Sequence, residues 1–377
     1  MRNKRLDVLR GIAVLLVVFY HGSIRNRLTD LGWAGVDLFF VLSGFLISGL
    51  LFTEYKKTGA INFKRFFVRR GLKLYPAFYF LLAITLIVES VFHHIRPLSA
   101  YLNEALYVQN YRASIWPHTW SLAVEEHFYI FLPLLLSLLI SASGRGKDPF
   151  RALPWIFLFV ALACLAFRLS AVRQIPIEKL GYWENVKPVF APTHERMDSL
   201  FFGVLIGYLY HLRPEFLDRL TASGRSRIFL SVACIVLLLS SILADMRFLV
   251  TLGYTLMYLG FGTLLVLSMK VRGVLPMAAA KITEPIGSVV AYIGMYSYSI
   301  YLWHIAVSHW EPILVEKVFR VQEGWVAGYI SYLAASVTLG ILMSCLVEYP
   351  ILQVRDRLFP GVETKIEPTL AERQESG

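Results

Sequence analysis

Ten apolar stretches constrain this chain more than anything else in it, each approaching the roughly 20 residues needed to cross a hydrocarbon core. They run near 7–22, 33–52, 74–92, 120–140, 153–170, 197–212, 228–244, 248–269, 288–309 and 325–347. A soluble fold burying ten such helices would need a larger core than 377 residues usually provide. Hydrophobic residues make up 56 % of the sequence and charged residues 17 %, against roughly 45–50 % and 25 % in soluble domains. The pattern predicts an all-α, polytopic membrane helix bundle of about ten transmembrane helices.

The first stretch has a basic start, but no small-residue cleavage site follows and further spans arrive at once. It reads as a permanent helix rather than a secretory signal. The net charge of +11 is a topology signal. With the N-terminus inside, roughly two-thirds of the Lys and Arg fall on the inner side, so both termini are expected in the cytoplasm. These basic residues are spread over loops instead of gathered on one soluble face, which argues against a nucleic-acid partner. Cys164, Cys234 and Cys345 lie within apolar stretches and read as small core residues. Residues 1–352 are expected to form one membrane-embedded unit, because the interruptions are too short to bury cores of their own. Residues 353–377 read as a polar, disordered cytoplasmic tail.

Ionisable residues interrupt this apolar background. Arg10 and His21 bracket the first stretch, LRGIAVLLVVFYH. At about 100° per residue, eleven steps make roughly three turns, which puts both side chains on one face about 16 Å apart. Asp37, Glu125, Glu126, Arg196, Asp198, His304 and Glu348 sit on other apolar stretches. Charges at membrane depth are costly to keep and mark functional paths. The set reads as a reaction centre inside a bilayer.

In NFKRFFVRRGLK, residues 62–73, phenylalanines alternate with Lys64, Arg65, Arg69, Arg70 and Lys73. Two readings are open: an interfacial anchor, and an anion clamp in which the planar Arg forks and a nearby Lys grip phosphate oxygens. Ser121, Glu125 and Tyr129 share a helical stripe, so Tyr129 and Ser121 are candidates to hydrogen-bond the Glu125 carboxylate. That carboxylate could in turn hold a histidine ring, or cap a helix at the interface. Asp37, one turn into GWAGVDLFFVLSGFLISG, is open between a dipole-favoured helix start and a partner for His21 or an arginine. Ser43 and the neighbouring glycines offer small surfaces for close packing. His118 and the other histidines at span ends read as interfacial residues, and His304 as cavity-lining or packed. No His/Cys/Asp set has metal spacing, so no metal is expected.

Seven motifs in order then resemble the acyltransferase-3 family of integral membrane acyltransferases: LDVLRGIAVLLVVFYH, GWAGVDLFFVLSGFLI, FVRRGLKLYP, WSLAVEEHFY, RMDSLFFG, YSYSIYLWH and the closing EYP. The resemblance covers Leu6 to Pro350. It implies transfer of an acyl group, acetyl by default, from cytoplasmic acyl-CoA to a hydroxyl of a cell-surface or exported glycan or glycolipid, in the cell (inner) membrane. It also implies His21 as catalytic residue with Arg10 its motif partner, Arg69 and Arg70 at the CoA end with Lys73 in place of a third arginine, and Glu125 with Tyr129 as a Glu-x3-Tyr motif. Arg196 and Asp198 belong to the RMDSLFFG match. His304 lacks the proline usual soon after the family's late histidine. Neutral His21 would take the acceptor's proton, with Glu125 or Asp37 supporting the imidazolium; a transient acyl-histidine is the competing route. The alternative class is a proton-coupled transporter, since intramembrane His, Glu and Asp also build proton relays. The absence of an internal repeat and the basic pair of residues 69 and 70 weigh against it.

Overall fold

The protein, seen in a computed structural model, is described for residues 3–360 apart from 25, 27, 28, 30, 94, 145–147, 177–182, 244, 272–276 and 315–324. Most of the expected tail, 361–377, lies outside the described residues. The described residues are helical, with no strand among them.

Helix α1 spans Lys4–His21, and the Asn3 side chain caps it by accepting from Arg5 N. A 3-10 turn, Leu31–Ala34, leads into α2, Gly35–Thr58, which ends at Gly59 in the left-handed conformation (φ 73°) that glycine adopts freely. Helix α3, Phe63–Val91, begins about three turns earlier than its apolar stretch suggests. The basic 62–73 segment is therefore helical, as its pattern suggests, but is not a separate interfacial helix. Asn62 caps it, accepting from Arg65 N, and it runs unbroken into the apolar part. Next come α4, Leu98–Ala105, α5, Trp120–Ala142, and α6, Leu153–Arg173. They are followed by α7, Trp183–Phe190, α8, Thr193–Leu212, α9, Pro214–Leu220, and α10, Gly224–Ile242. Helix α11, Tyr254–Lys270, is preceded by a π turn at Leu249–Gly253. The stretch 288–309 is not one helix: α12, Met277–Met295, and α13, Ser297–Leu314, meet at Tyr296. Helix α14, Trp325–Met343, and α15, Tyr349–Leu358, close the chain on either side of a π turn at Ser344–Glu348.

Among the described residues, six helical segments are long and apolar enough to cross a membrane: 31–58, 63–91, 117–142, 153–173, 246–270 and 326–358. A seventh is added if α9 and α10, bent by 91° to each other, count as one span. Helices α1 and α8 are more highly charged, with Lys4, Arg5, Asp7 and Arg10 on α1 and Glu195, Arg196 and Asp198 on α8.

Glycines set the closest approaches. A methyl on Gly44 would stand 1.9 Å from Leu200 O, and one on Gly203 would stand 2.3 Å from Val41 O. Only glycine lets α2 and α8 meet this tightly. Between α3 and α5 the chain is pinned by Glu104, whose Oε1 accepts from Ile115 N and Trp116 N at 3.0 Å and from Thr119 Oγ1 at 2.9 Å. Burial pushes this carboxyl up to about 7, against the lowering effect of those three donors. The clamp fixes the backbone that delivers His118 and Trp120 to the interior.

Candidate active site

Arg10 and His21 do share one face of α1, yet they open into two different cavities. The first, about 100 Å³, is lined by Arg10, Arg70 and Lys73 together with Ser43, Glu125 and Glu348. The second, about 340 Å³, is lined by His21, Asp37 and Arg196 among the aromatic rings of Trp33, Trp120 and Tyr254. Val36 and Tyr301 line both.

In the polar cavity the Glu-x3-Tyr pair behaves as its spacing predicts. Tyr129 donates to Glu125 Oε2 at 2.8 Å. The other carboxylate oxygen is satisfied by Ser43 at 2.5 Å, across from α2, and not by Ser121. Arg70 lies over the Tyr129 ring, its Cζ 4.0 Å from the centroid, a cation–π contact that fixes the guanidinium without consuming its N–H donors. Arg10 has Asp7 at 3.7 Å, one turn back. Glu348 accepts from Ser299, and Glu126 from Tyr75. The adjacent arginines divide. Arg69 does not line the cavity; it pairs with Asp356 at 3.0 Å and donates to Phe359 O, fastening α15 to α3.

In the aromatic cavity Asp37 is engaged by Arg196, with Nη2 to Oδ1 at 2.5 Å. Arg196 also lies 3.8 Å from the Tyr254 ring centroid. Behind this pair, Arg168 and Asp198 form a second ion contact at 2.8 Å with both side chains fully inaccessible. Arg168 further donates to Glu195 O and Thr255 Oγ1. Each guanidinium is matched by a carboxylate, as burial at this depth requires.

The carboxylates expected to support His21 are thus employed elsewhere, Asp37 by Arg196 and Glu125 by Tyr129 and Ser43. Among the side chains that meet His21 is His304, whose Nε2 lies 3.2 Å from His21 Nδ1. His21 Nδ1 is also 2.9 Å from Val17 O, and His304 Nδ1 is 2.5 Å from Tyr301 O. His118, read from the sequence as interfacial, is buried with its ring centroid 4.9 Å from that of His304. Tyr301 and Val36 were not singled out by sequence reasoning. An uncharged tyrosine among tyrosines and a valine among valines carry no signal until the fold puts them between two cavities. Arg168 did carry one, as a lone charge in an apolar stretch.

A bundle of membrane-crossing helices around a charged, two-chambered centre is the architecture of an integral membrane enzyme or carrier, and comparison with known proteins decides between them. The family described as an acyltransferase domain, acyltransferase-3, matches residues 3–345. The chain belongs to this family. A Staphylococcus aureus (strain COL) protein bearing a provisional O-acetyltransferase name is 34 % identical over 326 residues, covering 80 % of this chain and 50 % of that protein. The O-acetyltransferase OatA of Staphylococcus aureus (strain NCTC 8325) is 28 % identical over 324 residues, with the same coverage of 80 % and 50 %. The chain spans about half the length of these curated relatives. No solved structure gives a significant match.

Proposed function

We propose that this protein is an O-acetyltransferase of the cell membrane that moves an acetyl group from acyl-CoA to a hydroxyl of a surface or exported glycan. In this reading α1, α2, α3, α5, α6, α8, α10, α11, α13 and α14 are ten crossings, and both termini are cytoplasmic. Helix α12 packs along α1 without crossing. The polar cavity then faces the cytoplasm, where CoA resides, and His21 lies toward the opposite side.

One observation carries the reading: a cavity with three basic side chains and a cavity containing His21 share two lining residues, Val36 and Tyr301. CoA carries about four negative charges, which Arg10, Arg70 and Lys73 would meet. The aromatic rings of the second cavity offer flat apolar faces for a sugar, with the Arg196–Asp37 pair as polar contact. A thioester reaching past these two residues comes within range of His21. His21 Nε2 takes the acceptor's hydroxyl proton as that oxygen adds to the thioester carbon; the C–S bond breaks, and the CoA sulfur leaves with the proton carried by the imidazolium.

Mass analysis of surface glycans from cells making the protein or its His21→Ala variant tests this. An acetyl-sized mass gain present only with the unaltered protein is the expected result. Equal acetylation by His21→Ala, with both proteins in the membrane, would remove His21 from the mechanism.

A further inference from the structure

We propose that His304 is the positioning residue of the site: its Nε2 accepts a hydrogen bond from His21 Nδ1–H and so fixes His21 in the tautomer that presents a basic Nε2 to the acceptor. The inference rests on the reading of His21 as the base.

Carbonyl oxygens only accept hydrogen bonds, and this settles the protons. His304 Nδ1 lies 2.5 Å from Tyr301 O, so the His304 proton is on Nδ1. A neutral His304 then holds a lone pair on Nε2, which faces His21 Nδ1 at 3.2 Å. His21 Nδ1 is also 2.9 Å from a carbonyl, Val17 O, one turn back on its own helix. Val17 O and His304 Nε2 are both acceptors, and together they hold the His21 proton on Nδ1. The basic lone pair of neutral His21 falls on Nε2. When Nε2 takes a proton, the cation is stabilised at Nδ1 by two acceptors already in place. This is the service a carboxylate performs in a Ser-His-Asp triad, performed here by an imidazole and a carbonyl.

The carbonyl that orients His304 belongs to Tyr301, which lines both cavities. His304 is wholly buried on α13 and packs against His118, whose Nε2 is 3.2 Å from Leu302 O. The Tyr301 carbonyl and the His118 ring hold His304 with its Nε2 toward His21.

Glutamine and methionine have nearly the same shape, and only glutamine can place an acceptor where His304 Nε2 stands. Membrane vesicles from cells making each variant, which contain their own acceptor, are supplied with radiolabelled acetyl-CoA, and initial rates of label transfer to glycan are measured against donor concentration. His304→Met is expected to lower the maximal rate by on the order of 10²-fold with the acetyl-CoA KM unchanged. His304→Gln is expected to recover at least about tenfold of that loss. In a His21→Ala background, His304→Met should cost nothing further, because residues acting as a unit are not additive. Normal rates in His304→Met, or a folded His304→Gln no better than His304→Met, would overturn the role of His304. Retained transfer in His21→Ala alone would instead sink the reading beneath it. Detergent-extracted yield and thermal midpoint for each variant separate loss of fold from loss of rate.

Discussion

Ser121 Oγ and Tyr301 Oη, of two residues that line the polar cavity, stand 2.5 Å apart. Both hydroxyls also lie within hydrogen-bond distance of His118 O, Tyr301 Oη at 2.8 Å and Ser121 Oγ at 3.2 Å. Val36 and Tyr301 are the two residues that line both cavities, and Val36 is the smaller of them.

That makes Val36 a size filter. We expect Val36→Phe to lower acetyl transfer by at least about tenfold, because a reacting atom displaced by roughly 1 Å costs that much or more. Binding of acetyl-CoA, measured by calorimetry on the purified protein, should be unchanged. Transfer at the normal rate would mean that the acyl group takes another path.

The two adjacent arginines should separate in their effects. Arg70→Ala is expected to raise the acetyl-CoA KM by about tenfold or more, since a charge-assisted hydrogen bond contributes roughly 1.5–3 kcal/mol. Arg69→Ala should leave KM alone and lower the thermal midpoint, because Arg69 holds α15 through Asp356 and Phe359. Equal KM effects would place both at the donor.

The Asp37–Arg196 pair is open to a double-mutant test. Arg196→Met leaves a carboxylate buried without its cation, and we expect a loss of about 3–5 kcal/mol in stability. Adding Asp37→Leu should recover most of it, read as thermal unfolding in detergent. A double variant no more stable than the single would show that the pair is not a self-contained unit.

Glu104 gives the protein a pH-dependent clamp. Its folded-state value is raised to about 7 by burial, above an unfolded value near 4.3. A raised carboxyl contributes stability that is fully present below the unfolded value and is lost as pH climbs through the folded one. From pH 4 to 8 the wild type should therefore lose on the order of 3 kcal/mol relative to Glu104→Gln, at about 1.36 kcal/mol per pH unit. Parallel profiles of thermal midpoint against pH for the two proteins would show that Glu104 does not titrate there.

Periodicity and apolar length located most of the helices, because a bilayer demands long runs that a sequence cannot hide. They misread two places. The basic segment before Leu74 reads as a helix-like interfacial anchor of its own, but Asn62 caps it and it runs unbroken into the apolar part of α3. The break at Tyr296 lies within a run read as one stretch, where Gly294, Ser297 and Ser299 are its only compositional trace. Within the site, the pairing of Glu125 with Tyr129 was legible because both sit on one helix. The partners of Asp37 and His21 were not, since Arg196 and His304 lie on other helices and nothing local selects them among the available charges. The same holds for Arg69 and Arg70: neighbours in sequence point to different sides of a helix, one to the cavity and one to α15.

The Asp37–Arg196 pair also has a history during synthesis. Its members are 159 positions apart. At about 5–20 residues per second, the aspartate emerges roughly ten to thirty seconds before the arginine exists. For that interval α2 has an acidic group with its eventual counter-charge still unmade, so the segment must wait at the lipid headgroups or within the insertion machinery. Its final seat opens only when α8 arrives, and the order of translation thereby decides the order of assembly.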